Sequence, residues 1–300
     1  MKVLVTGGLG FIGSNLVERL VKEGYEVSVI DNLHTGNREN VDSVKGKVKI
    51  FEMNSGELAK TNENYEVIFH QGVYSSSPMY KKNPHLTARA IDEWISILEY
   101  ARNNGSKIVF ACSSSVYNGQ QPPHKEDMKI KITDYYTEAR LAMERLGKLY
   151  NDLYSVQSVG LRYFSCYGPH EKSKKTYANL ITQFLWDMQN DKQPVIFGDG
   201  KQTRDFTYVD DIVEANMLAM NYGKFDIFNV GKGESTDLNT VVNILNKKLG
   251  KDIQPVYQEN TIKNYVQHTL ADTSKAEQLL KFKAKVSLEE GIEKLIGCYS

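Results

Sequence analysis

Short apolar runs with the length of buried strands alternate with stretches of helical period through the first half of the chain. Val3-Leu4-Val5, Val27 to Ile30, Val48 to Glu52, Val67 to His70, Lys107 to Cys112 and Val156 to Arg162 read as strands, because short runs that are apolar throughout mark strands covered on both faces. Between them Ser14 to Lys22, Pro84 to Asn103 and Thr133 to Leu153 read as helices. Such βα alternation specifies an α/β fold with a doubly wound parallel sheet, right-handed crossovers and helices on both faces. Ligands then collect at the carboxyl ends of the strands.

From Cys166 onward the rhythm changes. Loops at Tyr167-Gly168-Pro169 and Gly198-Asp199-Gly200 interrupt predicted helices at Tyr177 to Asn190, Asp210 to Met220 and Leu238 to Leu249. No linker is rich enough in Pro, Gly or Ser to separate the two parts fully. The expected organisation is therefore a first domain over 1–165 and a smaller C-terminal α/β substrate-binding region over 166–300. A stretch at about 204–222 is expected to pack back on the first domain. There Asp210, directly after a predicted strand Asp205 to Val209, stands where a helix N-cap belongs.

The composition narrows the class. Three hundred residues suit about two domains, and 41% hydrophobic with 25% charged residues is ordinary for a soluble enzyme. A formal net charge of zero gives no electrostatic footprint for nucleic acid or an anionic membrane. No apolar run reaches the roughly 18 residues of a spanning helix, and the first strand leads straight into a glycine turn rather than a signal peptide. The expected location is cytoplasmic. Cys112, Cys166 and Cys298 are odd in number and widely spaced, which suggests neither a disulfide framework nor a zinc site.

The turn Thr6-Gly7-Gly8-Leu9-Gly10-Phe11-Ile12-Gly13 sits between a predicted strand and a predicted helix. Glycines there permit a tight turn, let backbone N–H groups approach a pyrophosphate, and let helix and strand pack closely, as in a Rossmann-type nucleotide site. The second strand ends in Asp31, placed to accept both ribose hydroxyls of an adenosine and to repel the extra phosphate of NADP. The turn predicts NAD. Asn54, near the end of the third strand, is a candidate acceptor for the adenine amino group, and a solvated loop Asn explains it equally.

Candidate chemistry follows the strand ending at Cys112. Ser113-Ser114-Ser115-Val116-Tyr117 comes next, and the following helix carries Tyr136 and Arg140 four residues apart on one face. A phenol titrates near 10 and is a poor base at neutral pH. A cation about 4 Å away at an effective dielectric of about 20 is worth ~4 kcal/mol, enough to change that. A serine hydroxyl would complete a donor and acceptor pair around a sugar hydroxyl. On spacing alone the pair reads first as a helix-surface contact and the serines as a polar loop.

The motifs TGGLGFIG, Asp31-Asn32, SSSVY, Tyr136, LRYFSCYGP at Leu161 to Pro169 and GDGKQTRDFTYVDD at Gly198 to Asp211 resemble the extended short-chain dehydrogenase/reductase family. Within it the pattern is most similar to nucleotide-sugar epimerases of the UDP-glucose 4-epimerase type, over nearly the whole chain. The resemblance implies that Gly7, Gly10, Phe11, Ile12, Gly13, Asp31, Asn32, Asn54 and Tyr163 hold NAD together with Tyr136 and Arg140. It implies Ser113, Tyr136 and Arg140 as the catalytic set, Ser114, Ser115 and Ser165 beside the sugar, and Arg204 as a clamp on the substrate diphosphate. A salt bridge to Asp205 or Asp199 is the alternative for Arg204. The implied reaction is epimerisation at C4 of a nucleotide diphosphate hexose through a 4-keto sugar, with NAD retained. The implied assembly is a homodimer, formed by helices bearing Trp94, Ile97, Leu98, Leu146, Leu149 and Tyr150; covered core faces explain the same residues.

The family pattern is broken at four places. Arg140 replaces the Lys of Tyr-x-x-x-Lys, keeping the charge on a larger planar group. Ala90, in Ala90-Ile91-Asp92-Glu93-Trp94, stands for the Asn of Asn-Val-x-Gly-Thr, and Ser165 for the Asn of RYFN. A late Arg-Pro-Gly-Asp element is absent, with Lys263-Asn264-Tyr265 near its place. These departures point to an altered substrate or to reduced catalysis, so a binding protein for NAD and a sugar nucleotide is the rival reading. An oxidoreductase exchanging NADH is a second. Dehydration is disfavoured by Ser114 and Ser115 where an acid is required, and NADPH-dependent reduction by Asp31.

Overall fold

The computed structural model describes residues 1–261 and 265–299. At its centre is a seven-stranded, wholly parallel sheet made from β1 (Lys2–Thr6), β2 (Glu26–Asp31), β3 (Val48–Glu52), β4 (Val67–His70), β5 (Lys107–Ser113), β6 (Ser158–Tyr163) and a last strand, Asp226–Val230. From one edge to the other the order is Asp226–Val230, β6, β5, β4, β1, β2, β3. Strand order reverses between β1 and β4, where a doubly wound sheet opens its crevice. Thr6, Ile30 and His70 are in register there, so three strand ends reach the crevice together.

Helices α1 (Phe11–Lys22), α2 (Ser77–Lys82), α3 (Leu86–Asn104), α4 (Tyr135–Tyr154), α5 (Leu180–Gln189), α6 (Val209–Ala219), α7 (Leu238–Leu249), α8 (Ser274–Leu280) and α9 (Leu288–Tyr299) complete the described chain with short 3-10 turns. Successive strand residues point to opposite faces. Val3 and Val5 pack with Leu16, Val17 and Leu20 of α1 and Val213 of α6, whereas Leu4 packs with Trp94, Ile97 and Leu98 of α3 and Met143 of α4. Each such side chain contributes roughly 1.5–3 kcal/mol when fully buried.

That packing corrects the exposure expected for α3. Trp94, Ile97 and Leu98 are fully buried, Leu146 and Tyr150 are partly covered, and of the six only Leu149 is exposed. The indole Nε1 of Trp94 donates to the Met143 carbonyl at 2.9 Å, fixing α3 on α4. The start of α6 also differs from expectation. Only Thr207–Tyr208 is extended, paired with Cys166–Tyr167, and Tyr208 is the N-cap. Asp210 falls inside the first turn, beside Asp211, whose carboxylate accepts the backbone N–H groups of Lys285 at 2.8 Å and Val286 at 3.1 Å.

The part of the chain that returns to the sheet runs past Tyr222, since α6 lies beside α1 and Asp226–Val230 pairs with β6. Beyond it α5, α7 and α9 pack together beside short strand pairs, among them Thr203–Arg204 with Thr236–Asp237. No helix among the described residues is long and apolar enough to cross a membrane.

Candidate active site

A cavity of about 540 Å³ lies at the carboxyl ends of the strands, between the glycine turn and the C-terminal region. Its floor is the turn itself. Gly7 has φ of +67°, and a Cβ there would lie 2.6 Å from the Cα of Gly72 in the loop after β4. A Cβ on Gly13 would lie 2.0 Å from the Gly7 carbonyl oxygen, so α1 packs on the turn only as glycine. Gly10 is the N-cap of α1, with no side-chain cap and no acid in the first turn. The orphan N–H groups of that helix end therefore remain available to an anion. Phe11 and Ile12 line the same floor.

Asp31 closes β2 beside the turn. Its carboxylate accepts the backbone N–H of Leu9 at 3.0 Å and of Leu33 at 2.7 Å, and burial raises its pKa against these bonds. Asn32 also lines the cavity, and its amide donates to Asn54 Oδ1 at 3.0 Å. Asn54 itself does not line the cavity. Its backbone N–H is held by Glu57 Oε2 at 3.0 Å, as the first residue of a helical turn.

The opposite wall carries Ser113, Tyr136, Arg140 and Tyr163. Ser113 Oγ accepts the Ser115 N–H at 3.1 Å, which turns the chain after β5 and points Ser114 and Ser115 at the cavity rim. Tyr136 is buried on α4, and the Arg140 guanidinium carbon lies 5.0 Å from its ring centre. Arg140 is committed elsewhere as well, donating to the Ala111 carbonyl at 2.9 Å and the Tyr74 carbonyl at 3.0 Å. Ala90 packs in the apolar cluster around Tyr80 and Tyr136. Tyr163 is held by Gln71 and Asn216, each at 3.1 Å, and burial pushes its hydroxyl pKa well up.

Arg204 roofs the far end. Its guanidinium donates to the carbonyls of Thr203 at 2.8 Å, Gln267 at 3.2 Å and Val266 at 2.6 Å, and lies 5.4 Å from the Tyr265 ring centre. No carboxylate pairs with it among the described residues. Asp205 instead accepts N–H groups of Lys232, Gly233 and Ala271, and Asp199 pairs with Lys201. Burial lowers the Arg204 pKa, which is the signature of a charge short of a counter-ion. Lys263 and Asn264 lie outside the described residues. A smaller cavity of about 80 Å³ continues past Ser114, Ser115, Ser165 and Arg204 to His124 and His268.

Residues 3–231 match the family model described as "NAD dependent epimerase/dehydratase family". The chain belongs to that family. A UDP-glucuronate 4-epimerase of Thermodesulfobacterium geofontis is 32% identical, over 98% of this chain and 94% of that one. A UDP-glucose 4-epimerase of Thermotoga maritima, solved with UDP-glucose, is 30% identical with a TM-score of 0.93, covering 100% of this chain and 98% of that one. A UDP-N-acetylglucosamine 4-epimerase of Methanobrevibacter ruminantium, solved with UDP-N-acetylmuramic acid, is 31% identical with a TM-score of 0.93, covering 99% and 97%.

The family's cofactor is NAD, and the glycine floor with its uncapped helix end fits a diphosphate. Among the cavity residues not singled out in the sequence, four carry polar or charged groups with defined places. Gln71 holds Tyr163; Glu93 reaches the wall from α3; Lys174 stands beside the Phe11 ring at 5.1 Å; Asn179 caps α5 through the Ile181 N–H at 3.0 Å. Asn179, directly before an apolar helical run, carried a readable cap signal. The other three carried none, since a Lys in a basic run and a Glu in a helix read as solvated faces.

Proposed function

We propose that the chain epimerises C4 of a nucleotide diphosphate hexose of the UDP class by transient oxidation to the 4-keto sugar. One observation carries the reading: Ser113, Tyr136 and Tyr163 share a cavity with the glycine turn, while Arg204, a half-buried cation with no carboxylate partner among the described residues, stands at its other end. NAD, when bound, supplies the reversible redox couple for the C4 carbon. Ser113 orients the 4-hydroxyl, Tyr136 takes its proton on oxidation and returns it on reduction, and Arg204 holds the diphosphate while the ketone presents its other face. Arg140 acts through Tyr136 as a positioning charge. The relatives named above are 4-epimerases of differently substituted UDP sugars, which supports C4 as the reacting centre and leaves the substituent to the Ser114, Ser115 and Ser165 rim.

Incubation with UDP-glucose, UDP-galactose and their N-acetyl and uronic acid forms tests this, with interconversion at C4 expected for at least one pair. No change in any would overturn it. The commitment of Arg140 to two backbone carbonyls favours a second reading, in which the protein binds NAD and sugar nucleotide but turns over weakly. A large gain in turnover on Arg140→Lys would support weakened catalysis. We also propose a homodimer through the exposed faces of α3 and α4, where Ile95, Leu149 and Leu153 stand in water. Sedimentation at twice the chain mass is the expected result.

A further inference from the structure

A dinucleotide whose diphosphate rests on the glycine turn has one half toward β5 and β6 and the other toward β2 and β3. The first half meets Ser113, Tyr136 and Tyr163. The second meets Asn32, Ser55, Val73 and Glu93. Glu93 comes from α3, which packs against the turn Ser55–Thr61 that follows β3. Its placement is tight: a Cβ on Gly56 would lie 3.1 Å from the Glu93 Cα and 3.2 Å from its Cγ. Glycine at position 56 therefore makes room for this side chain.

Glu93 is half-buried and faces the cavity, yet it has no hydrogen bond or ion pair among the described residues. With no protein donor among the described residues, this half-buried carboxylate is left to water, which a ligand N–H can replace. Two neighbouring polar groups are already engaged: Asn54 Oδ1 accepts the Asn32 amide, and Ser55 Oγ donates to the Gly72 carbonyl at 3.2 Å. Of the two halves of the dinucleotide, the adenosine half brings an exocyclic amino group, a donor of the kind the site lacks.

We propose that Glu93 is a specificity-determining residue for the cofactor, its carboxylate accepting an N–H of the adenine 6-amino group. The inference rests on NAD as the cofactor and is independent of which sugar reacts. Burial raises the Glu93 pKa to about 7, with Arg89 opposing that rise and Asp92 and Glu57 adding to it, and a donor at the carboxylate would oppose the rise as well.

The full chain, stripped of dinucleotide, is incubated at pH 8 with an equal mixture of NAD and an analogue carrying purine, without the 6-amino group, in place of adenine. Retained dinucleotide is then released by denaturation and quantified. The wild type is expected to favour NAD by about tenfold, worth ~1.4 kcal/mol. Glu93→Ala is expected to take both at a ratio near one, and Glu93→Gln, whose amide oxygen still accepts, to keep a few-fold preference. A Glu93→Ala ratio equal to that of the wild type overturns the proposal, as does a wild type that does not discriminate. Retention of neither dinucleotide overturns it together with its cofactor premise, a result distinct from either ratio.

Discussion

Around the glycine turn the cavity wall is mostly backbone, held at contact distance by residues with no side chain to spare. Around Tyr136 and Arg204 it is side chain, carried by elements whose backbones are tied up elsewhere. Arg140 and Arg204 both spend donors on carbonyls, and the buried Arg162 is paired with Glu144. The contrast is in the partners: Arg162 has its carboxylate, whereas Arg140 and Arg204 donate to carbonyls and have no carboxylate among the described residues, which at Arg204 leaves the charge to the ligand proposed above. At the glycine end an added Cβ at Gly7 or Gly13 meets backbone within 3 Å, a restriction the side-chain end does not share.

The largest effect should come from the backbone end. Gly13→Ala places a methyl 2.0 Å from a carbonyl oxygen, so thermal unfolding should show a loss of roughly 3 kcal/mol or more, with little NAD retained. A variant of wild-type stability would break the comparison. At the side-chain end Tyr136→Phe should cost ~10²–10⁴ in kcat with NAD retention and melting temperature unchanged. Arg204→Met should weaken sugar-nucleotide binding by roughly 10–100-fold, the worth of a charge-assisted contact, with a smaller change in kcat. The smallest effect concerns pH. Glu93 titrates near 7 when its carboxylate has no donor, and a bound amino group lowers that value, so binding releases a proton. NAD affinity should then rise a few-fold from pH 6 to pH 8, and the rise should vanish in Glu93→Gln.

The parallel sheet and the glycine turn were legible because both are written in adjacent residues: apolar runs of strand length, then glycines at fixed spacing. Resemblance to the family placed Ser113, Tyr136, Tyr163 and Arg204, and all of them line or roof one cavity or hold its wall. What sequence could not show were meetings between distant segments. Asp210 read as a cap because capping is a local rule, yet the strand before it is only two residues long and Asp211 serves a loop more than 70 residues away. Asn54 read equally as an adenine acceptor and as a solvated loop residue because it follows β3, and what the sequence did not show is that Glu57 holds its N–H and the Asn32 amide donates to its Oδ1. Glu93, which stands at that end, sits in a helix where a carboxylate carries no signal. Trp94 and Ile97 looked available for a partner only because α4, which covers them, lies some 40 residues further along.

The meeting of Gly7, Gly72 and Ser55 has a consequence for descent. A side chain at Gly7 would strike Gly72, and one at Gly72 would strike Ser55 and the Gly7 nitrogen, at 2.5 and 2.9 Å. Three loops from three strands thus form one mutational locus, closed to single steps. Side-chain change is freer at a position such as Ser165, which lines the same cavity outside that three-loop contact.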